Sequence, residues 1–141
     1  MLIIFVKEKP ERYPHMVKID TKEKFCIFRL DAGPITEKMA GELRDRLLEH
    51  KTQSPGNVIV VLPENTPVSQ AVLSVLSTLQ NTYRTLRHSF VISPVSTSQR
   101  RQQPAWQELD TTPSLQEAID LVMMEEVERE LLGPEGPELF E

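Results

Sequence analysis

NVIVVLPENTPVSQAVLSVLSTLQNTYRTLRHSFVISPV, residues 57–95, sets two apolar runs on either side of a long stripe with helical spacing. The first run, NVIVVL (57–62), is apolar without alternation, as a strand covered on both faces must be. The stripe Val68, Ala71, Val72, Val75, Leu76, Leu79, Tyr83 and Leu86 recurs every three or four residues, which predicts a helix of about five turns. Thr66 is placed to cap it, with Pro67 at the first helical position, where a missing N–H leaves nothing unpaired. HSFVISPV (88–95) then returns as a strand. Strand, helix, strand at this spacing is a parallel crossover unit, and the chain around it reads as an α/β domain.

Upstream, MVKIDTKE (16–23) alternates and FCIFRL (25–30) is more uniformly apolar, so the two predict an antiparallel hairpin. A helix follows, capped by Thr36, with Ile35 and Ala40 as a hydrophobic staple and Met39, Ala40, Leu43 and Leu47 as its apolar stripe. KTQSPG ends it. Downstream, STSQRRQQPAW (96–106) is polar and weakly patterned, at best a short helix, and WQEL suggests a brief edge strand. The last helix opens on a capping box, Ser114 and Glu117, and carries Leu115, Ile119, Val122, Met123, Val127 and Leu131 until Gly133. In front, MLIIFV (1–6) predicts one more strand behind a proline-interrupted connector. The organisation is an N-terminal extension with a short strand (1–14), one α/β domain (15–132) and an acidic Pro/Gly tail (133–141).

Composition narrows the function. Sixteen basic residues against twenty-one acidic give a net charge of −5, which disfavours nucleic acid and anionic membranes as partners. No stretch approaches the roughly 20 apolar residues of a membrane span. The six-residue run of MLIIFV, without a basic start, is shorter than the roughly 7–15 residues of a signal-peptide core. A soluble cytoplasmic protein without membrane insertion is expected. The single cysteine, Cys26, lies in an apolar strand and reads as a small buried hydrophobe rather than a nucleophile.

Chemistry-bearing motifs are missing. His15, His50 and His88 have no metal-ligand spacing, so no metal and no cofactor is expected, and His50 reads as a partner of its own helix's negative end. There is no nucleophile elbow and no glycine-rich phosphate loop, with only five glycines in the chain. Glu125, Glu126, Glu128 and Glu130 read as a solvated helix face. Arg100 and Arg101 beside Trp106 read as a mobile surface loop with one anchoring aromatic rather than an RNA patch. An enzyme is not expected.

The order of elements, together with HMVKIDTKEKFCIFRLDAGPITEKMAGELRDRLLE (15–49), the segment 57–95 and WQELDTTPSLQEAIDLV (106–122), resembles the STAS domain, the sulfate transporter and anti-sigma factor antagonist family. The resemblance covers about residues 15–125. It implies an STAS-like mixed sheet of four to five strands with helices packed mainly on one face, behind the N-terminal strand. It also implies a non-catalytic module of bacterial transcription signalling whose partner is an anti-sigma factor or kinase-like regulator. The contact surface would be the turn Asn65, Thr66, Pro67, Val68, Ser69 and Gln70. The family's Asp-Ser-Ser-Gly phosphorylation motif is absent at this turn. Ungapped counting puts Ser69-Gln70-Ala71-Val72 there and Ala71 at the phosphoacceptor; Ser69 reaches that place only with a two-residue shift. Ser69 is thus a phosphorylation candidate whose competing role is a local hydrogen bond within the helix start. Two other readings stand beside this one. One is a small-molecule or nucleotide-binding regulatory domain using the same helix N-terminus. The other is a structural subunit of a larger complex, with homodimerisation through the Met1–Val6 strand.

Overall fold

The structure, a computed structural model, describes residues 17–30 and 33–132. The strand expected at Met1–Val6, His15 and the tail 133–141 lie outside the described residues.

Four strands form one mixed sheet in the order β1 (Val17–Thr21), β2 (Cys26–Leu30), β3 (Val58–Val61), β4 (Phe90–Ser93). The hairpin β1–β2 is antiparallel, with Val17 opposite Leu30 and Thr21 opposite Cys26. The pairs β2–β3 and β3–β4 are parallel, as the crossover pattern requires. Helix α1 (Glu37–His50) links β2 to β3 and α2 (Gln70–Thr85) links β3 to β4. Both cover the same sheet face, where Phe28, Val58, Val60, Phe90 and Ile92 meet Leu43, Leu47, Leu76, Leu79 and Tyr83. A short helix α3 (Thr97–Gln102) and a 3-10 turn (Pro104–Glu108) close this side, with Trp106 in the same core. Helix α4 (Leu115–Leu132) lies on the other face, where Ala118 and Val122 pack on Ile27, Ile59, Val61 and Val91. Alternate residues of β3 therefore face two different helical layers, which is why VIVV carries no polar residue.

Helix starts follow the local chemistry. Thr36 caps α1, its Oγ1 accepting from Met39 N at 3.1 Å, and Ile35 and Ala40 are both buried beside it. Ser114 caps α4, accepting from Glu117 N at 3.2 Å. For α2 the cap is Ser69, not Thr66: Ser69 Oγ accepts from Val72 N at 3.2 Å. Thr66 Oγ1 instead reaches only the Glu64 carbonyl, at 3.4 Å. The later start makes Val68 and Leu73 the staple pair, both buried in one core, and Pro67 an exposed turn residue outside the helix. It also rotates the stripe. Leu73 and Gln80 are buried, whereas Ala71 and Leu86 face solvent.

Residues 96–106 hold the short helix and the anchoring aromatic that the sequence allowed, but the edge strand expected at WQEL is a 3-10 turn. Pro104 opens the 3-10 turn, and Trp106 is buried to 2% exposure. Among the described residues, pairing beyond β4 is a single bridge, Ile92 with Thr111, where Ile92 N donates to the Asp110 carbonyl and Thr112 N to that of Ile92. The buried amide of Gln80 takes up the backbone that a strand would have paired: Nε2 donates to the Glu108 carbonyl (2.9 Å) and Oε1 accepts from Asp110 N (2.7 Å). A side chain from α2 thus satisfies the two backbone groups at 108 and 110, while residues 110–112 keep a short backbone pairing with β4.

Candidate functional site

The turn 63–69 leaves the carboxyl end of β3, where open α/β sheets place their binding crevices. Its tip is Glu64-Asn65, both exposed, and Asn65 holds the left-handed conformation (φ 57°) that glycine would otherwise supply. The turn is fastened from one side by α3 and the residue after it. Gln99 Nε2 donates to the Thr66 carbonyl (3.3 Å) and Gln103 Nε2 to the Val68 carbonyl (2.6 Å). Ser96 caps α3 with a reciprocal box to Gln99, which sets that glutamine's place. Thr66 and Val68 therefore turn their backbone inward to these amides, while Asn65, Pro67, Ser69 and Gln70 remain exposed. The sequence pointed to all six residues but not to the glutamines that hold them. Both lie in the segment whose polarity resembled a mobile loop.

Between this turn and α3 lies a cavity of about 260 Å³, lined by Asn65, Thr66, Pro67, Val68, Gln103 and Trp106 among others. None of its lining side chains is charged. It falls below the roughly 300–1,000 Å³ typical of small-molecule sites. The first turn of α2 is also occupied by its own cap, with Ser69 Oγ on Val72 N. A nucleotide phosphate would meet no cation here.

A second arrangement lies at the opposite end of the sheet, before β3 and β4. Arg129 of α4 donates to Asn57 Oδ1 (2.9 Å), Ser89 Oγ (3.1 Å) and Glu126 Oε1 (3.3 Å). Asn57 Nδ2 donates to Glu126 (2.8 Å) and to the Lys24 carbonyl (3.1 Å), and its Oδ1 also accepts from Ser89 N (2.9 Å). Ser89 Oγ donates to Glu125. The hydrogen bond from Asn57 holds Glu126 below the usual carboxylate range, with Arg129 acting in the same direction against partial burial. Glu125 and Glu126 are thus half-buried and turned to the sheet, not part of a solvated face.

Beside this network is a cavity of about 730 Å³, lined by Arg84, Arg87, His88, Asp110, Glu125, Glu128 and Arg129 among others. Arg84 is paired with Asp110 (2.9 Å). Arg87 ends α2 in the left-handed conformation (φ 65°), closing a Schellman turn in which His88 N donates to the Tyr83 carbonyl (3.0 Å) and Arg87 N to that of Arg84 (2.9 Å). His88 packs over Gly56, where any Cβ would strike its ring, and near Tyr83. Burial, then the Arg129 charge, lowers its pKa below 6.5.

Cys26 is buried, its Sγ donating to Thr21 Oγ1 at 3.7 Å. His50 ends α1, and its Nε2 lies 2.7 Å from the Pro55 carbonyl, which can only accept, so Nε2 carries the proton. Trp106 offers no face for a base to stack on, and Arg100 points along its own segment, donating to Gln107 (3.3 Å). Among the described residues, no group of three or more His, Cys, Asp or Glu converges on a possible metal position. Nor is any helix among them long and apolar enough to cross a membrane. No protein-family model and no curated protein matches the chain.

Proposed function

We propose that the chain is a non-catalytic, cytoplasmic interaction module of the anti-sigma factor antagonist type, docking a regulator through Asn65–Gln70. The observation that carries this reading is the clamp on the turn. Gln99 and Gln103 hold its backbone from behind, so four side chains are presented on a fixed scaffold. Preorganisation of this kind lowers the ordering cost of association. The resemblance to STAS domains implies a partner contact at the same turn, and the absent Asp-Ser-Ser-Gly motif implies a contact without the family's switch. Ser69 serves as a helix cap in this reading. The full chain should bind a purified kinase-type anti-sigma domain, with backbone NMR shifts concentrated at residues 64–70. Asn65→Ala combined with Gln70→Ala should weaken binding about tenfold or more. Binding with no response at 64–70, or no binding at all, would sink the proposal.

The size of the 730 Å³ cavity supports a second reading, a small-molecule regulatory domain. The ligand would sit beside Arg87 and His88, at the end of the sheet away from the helix N-terminus first considered. Shifts confined to residues 84–90 and 125–132 on adding a nucleotide would favour this reading over the first.

A further inference from the structure

Helix α4 reverses its polarity along its length. In the first half Ala118 and Val122 are buried against the sheet. In the second half the half-buried residues are polar, with Glu125, Glu126 and Arg129 engaged by Ser89 and Asn57. Polar anchoring on the inside leaves the apolar side chains of those turns outside. Met124 is 60%, Val127 48% and Leu131 79% exposed. Their spacing of three and four residues continues upward through Asp120, so the four share one outward line. A shallow groove runs along this line, lined by Asp120, Met123, Met124, Val127 and Glu128. Contiguous apolar residues with a polar rim mark interaction surfaces rather than ordinary solvent faces.

From this we infer that the outer face of α4 docks a basic amphipathic helix of a protein partner. The charge of α4 selects that occupant. Of its six acidic residues, Glu125 and Glu126 turn to the sheet with the one arginine, Arg129, and Glu130 pairs with Lys24, which leaves Glu117, Asp120 and Glu128 exposed. Asp120 at the end of the apolar line and Glu128 beside it would pair with lysines or arginines next to a partner's apolar stripe. A second copy of α4 would bring acid against acid, and anionic lipid would be repelled in the same way. Paired methionines suit such a groove, because unbranched thioether chains repack around differing anchors. The surface lies on the sheet face opposite α1 and α2 and is independent of the 64–70 turn.

The test uses the full chain and two synthetic helical peptides with the same leucine stripe, one flanked by lysines and one by glutamates. The lysine peptide should shift the backbone NMR signals of residues 120–131 and lose affinity with added salt; the glutamate peptide should do neither. Val127→Ser with Leu131→Ser should reduce the lysine peptide's affinity by about tenfold or more while leaving the urea midpoint unchanged. Asp120→Lys with Glu128→Lys should transfer the preference to the glutamate peptide, which mere loss of folding could not do. Three outcomes would each overturn the proposal: no shift at 120–131, equal binding of both peptides, or a dimer in sedimentation that Leu131→Ser dissolves. So would a peptide response that appears only after residues 1–16 are removed, since the chain itself would then be the occupant.

Discussion

Ser69 and Thr66 stand three residues apart, and their hydroxyls have different work. Ser69 is the N-cap of α2, accepting from Val72 N, whereas the weak contact of Thr66 Oγ1 is with the nearby Glu64 carbonyl. Removing a serine cap typically costs about 1 kcal/mol, within a range of about 0.5–2. Ser69→Ala should therefore lower the unfolding free energy by about 1 kcal/mol, and Thr66→Ala by no more than about 0.5 kcal/mol. Ser69→Asp should stay close to the parent, since aspartate caps as well as serine and suits the positive end of the helix. Urea unfolding of the three variants checks the order; equal losses at positions 66 and 69 would refute it. The same assignment explains why the sequence misplaced the cap. Thr-Pro is a strong helix-start signal locally, but Val68 and Leu73 are both apolar and both reach the core once the helix begins at Gln70. Burial of that pair decides between two chemically acceptable starts.

Elements were legible in the sequence to the extent that their own residues determine them. The strand VIVV needs no partner to be read, because a short β-branched run has few other destinations. Helix α2 was legible in length, but its phase was not, so Gln80 was overlooked among apolar neighbours. Its burial makes sense only with Glu108 and Asp110 beside it. Helix α4 misled for a related reason. Val127 and Leu131 continue an apolar period, yet Arg129 and Glu126 take the inward side because Asn57 and Ser89 wait there. The segment 96–108 was the least legible, since a buried tryptophan and two glutamine amides fix it from a distance. Its role can be measured. Gln99→Ala with Gln103→Ala removes two side-chain donors from turn carbonyls, each contributing about 0.5–1.5 kcal/mol net. Amide exchange of residues 65–69 should quicken while the central strands keep their protection. Unchanged exchange in the turn would show that the clamp does not hold it.

At the scale of the whole molecule the two ends of the sheet differ in how they respond to acid. No titratable side chain lines the turn-and-α3 cavity at the carboxyl end, where Trp106, the chain's one tryptophan, is buried. The amino end holds His88, Glu125, Glu126 and Arg129 together. His88 faces Arg129, Glu126 and His50, and burial with the Arg129 charge lowers its folded-state pKa below 6.5. Its unfolded form therefore takes up a proton first, and the stability it contributes above pH 6.5 is lost as pH falls toward the folded value. Glu126 has the same sign in a lower window. The hydrogen bond from Asn57 holds its pKa below 4.5, so its contribution is present above 4.5 and lost as pH falls through the folded value. Urea midpoints should accordingly decline in two steps on acidification. His88→Gln should flatten the upper step and Glu126→Gln the lower one. Because Glu126 and Arg129 are the inward anchors of α4's second half, acid should loosen residues 123–132 before it reaches the opposite end. Amide exchange in α4 should then rise at a pH where Trp106 emission is still that of the folded chain. Simultaneous loss of both signals at every pH would mean that the polar cluster and the tryptophan core open as one cooperative unit.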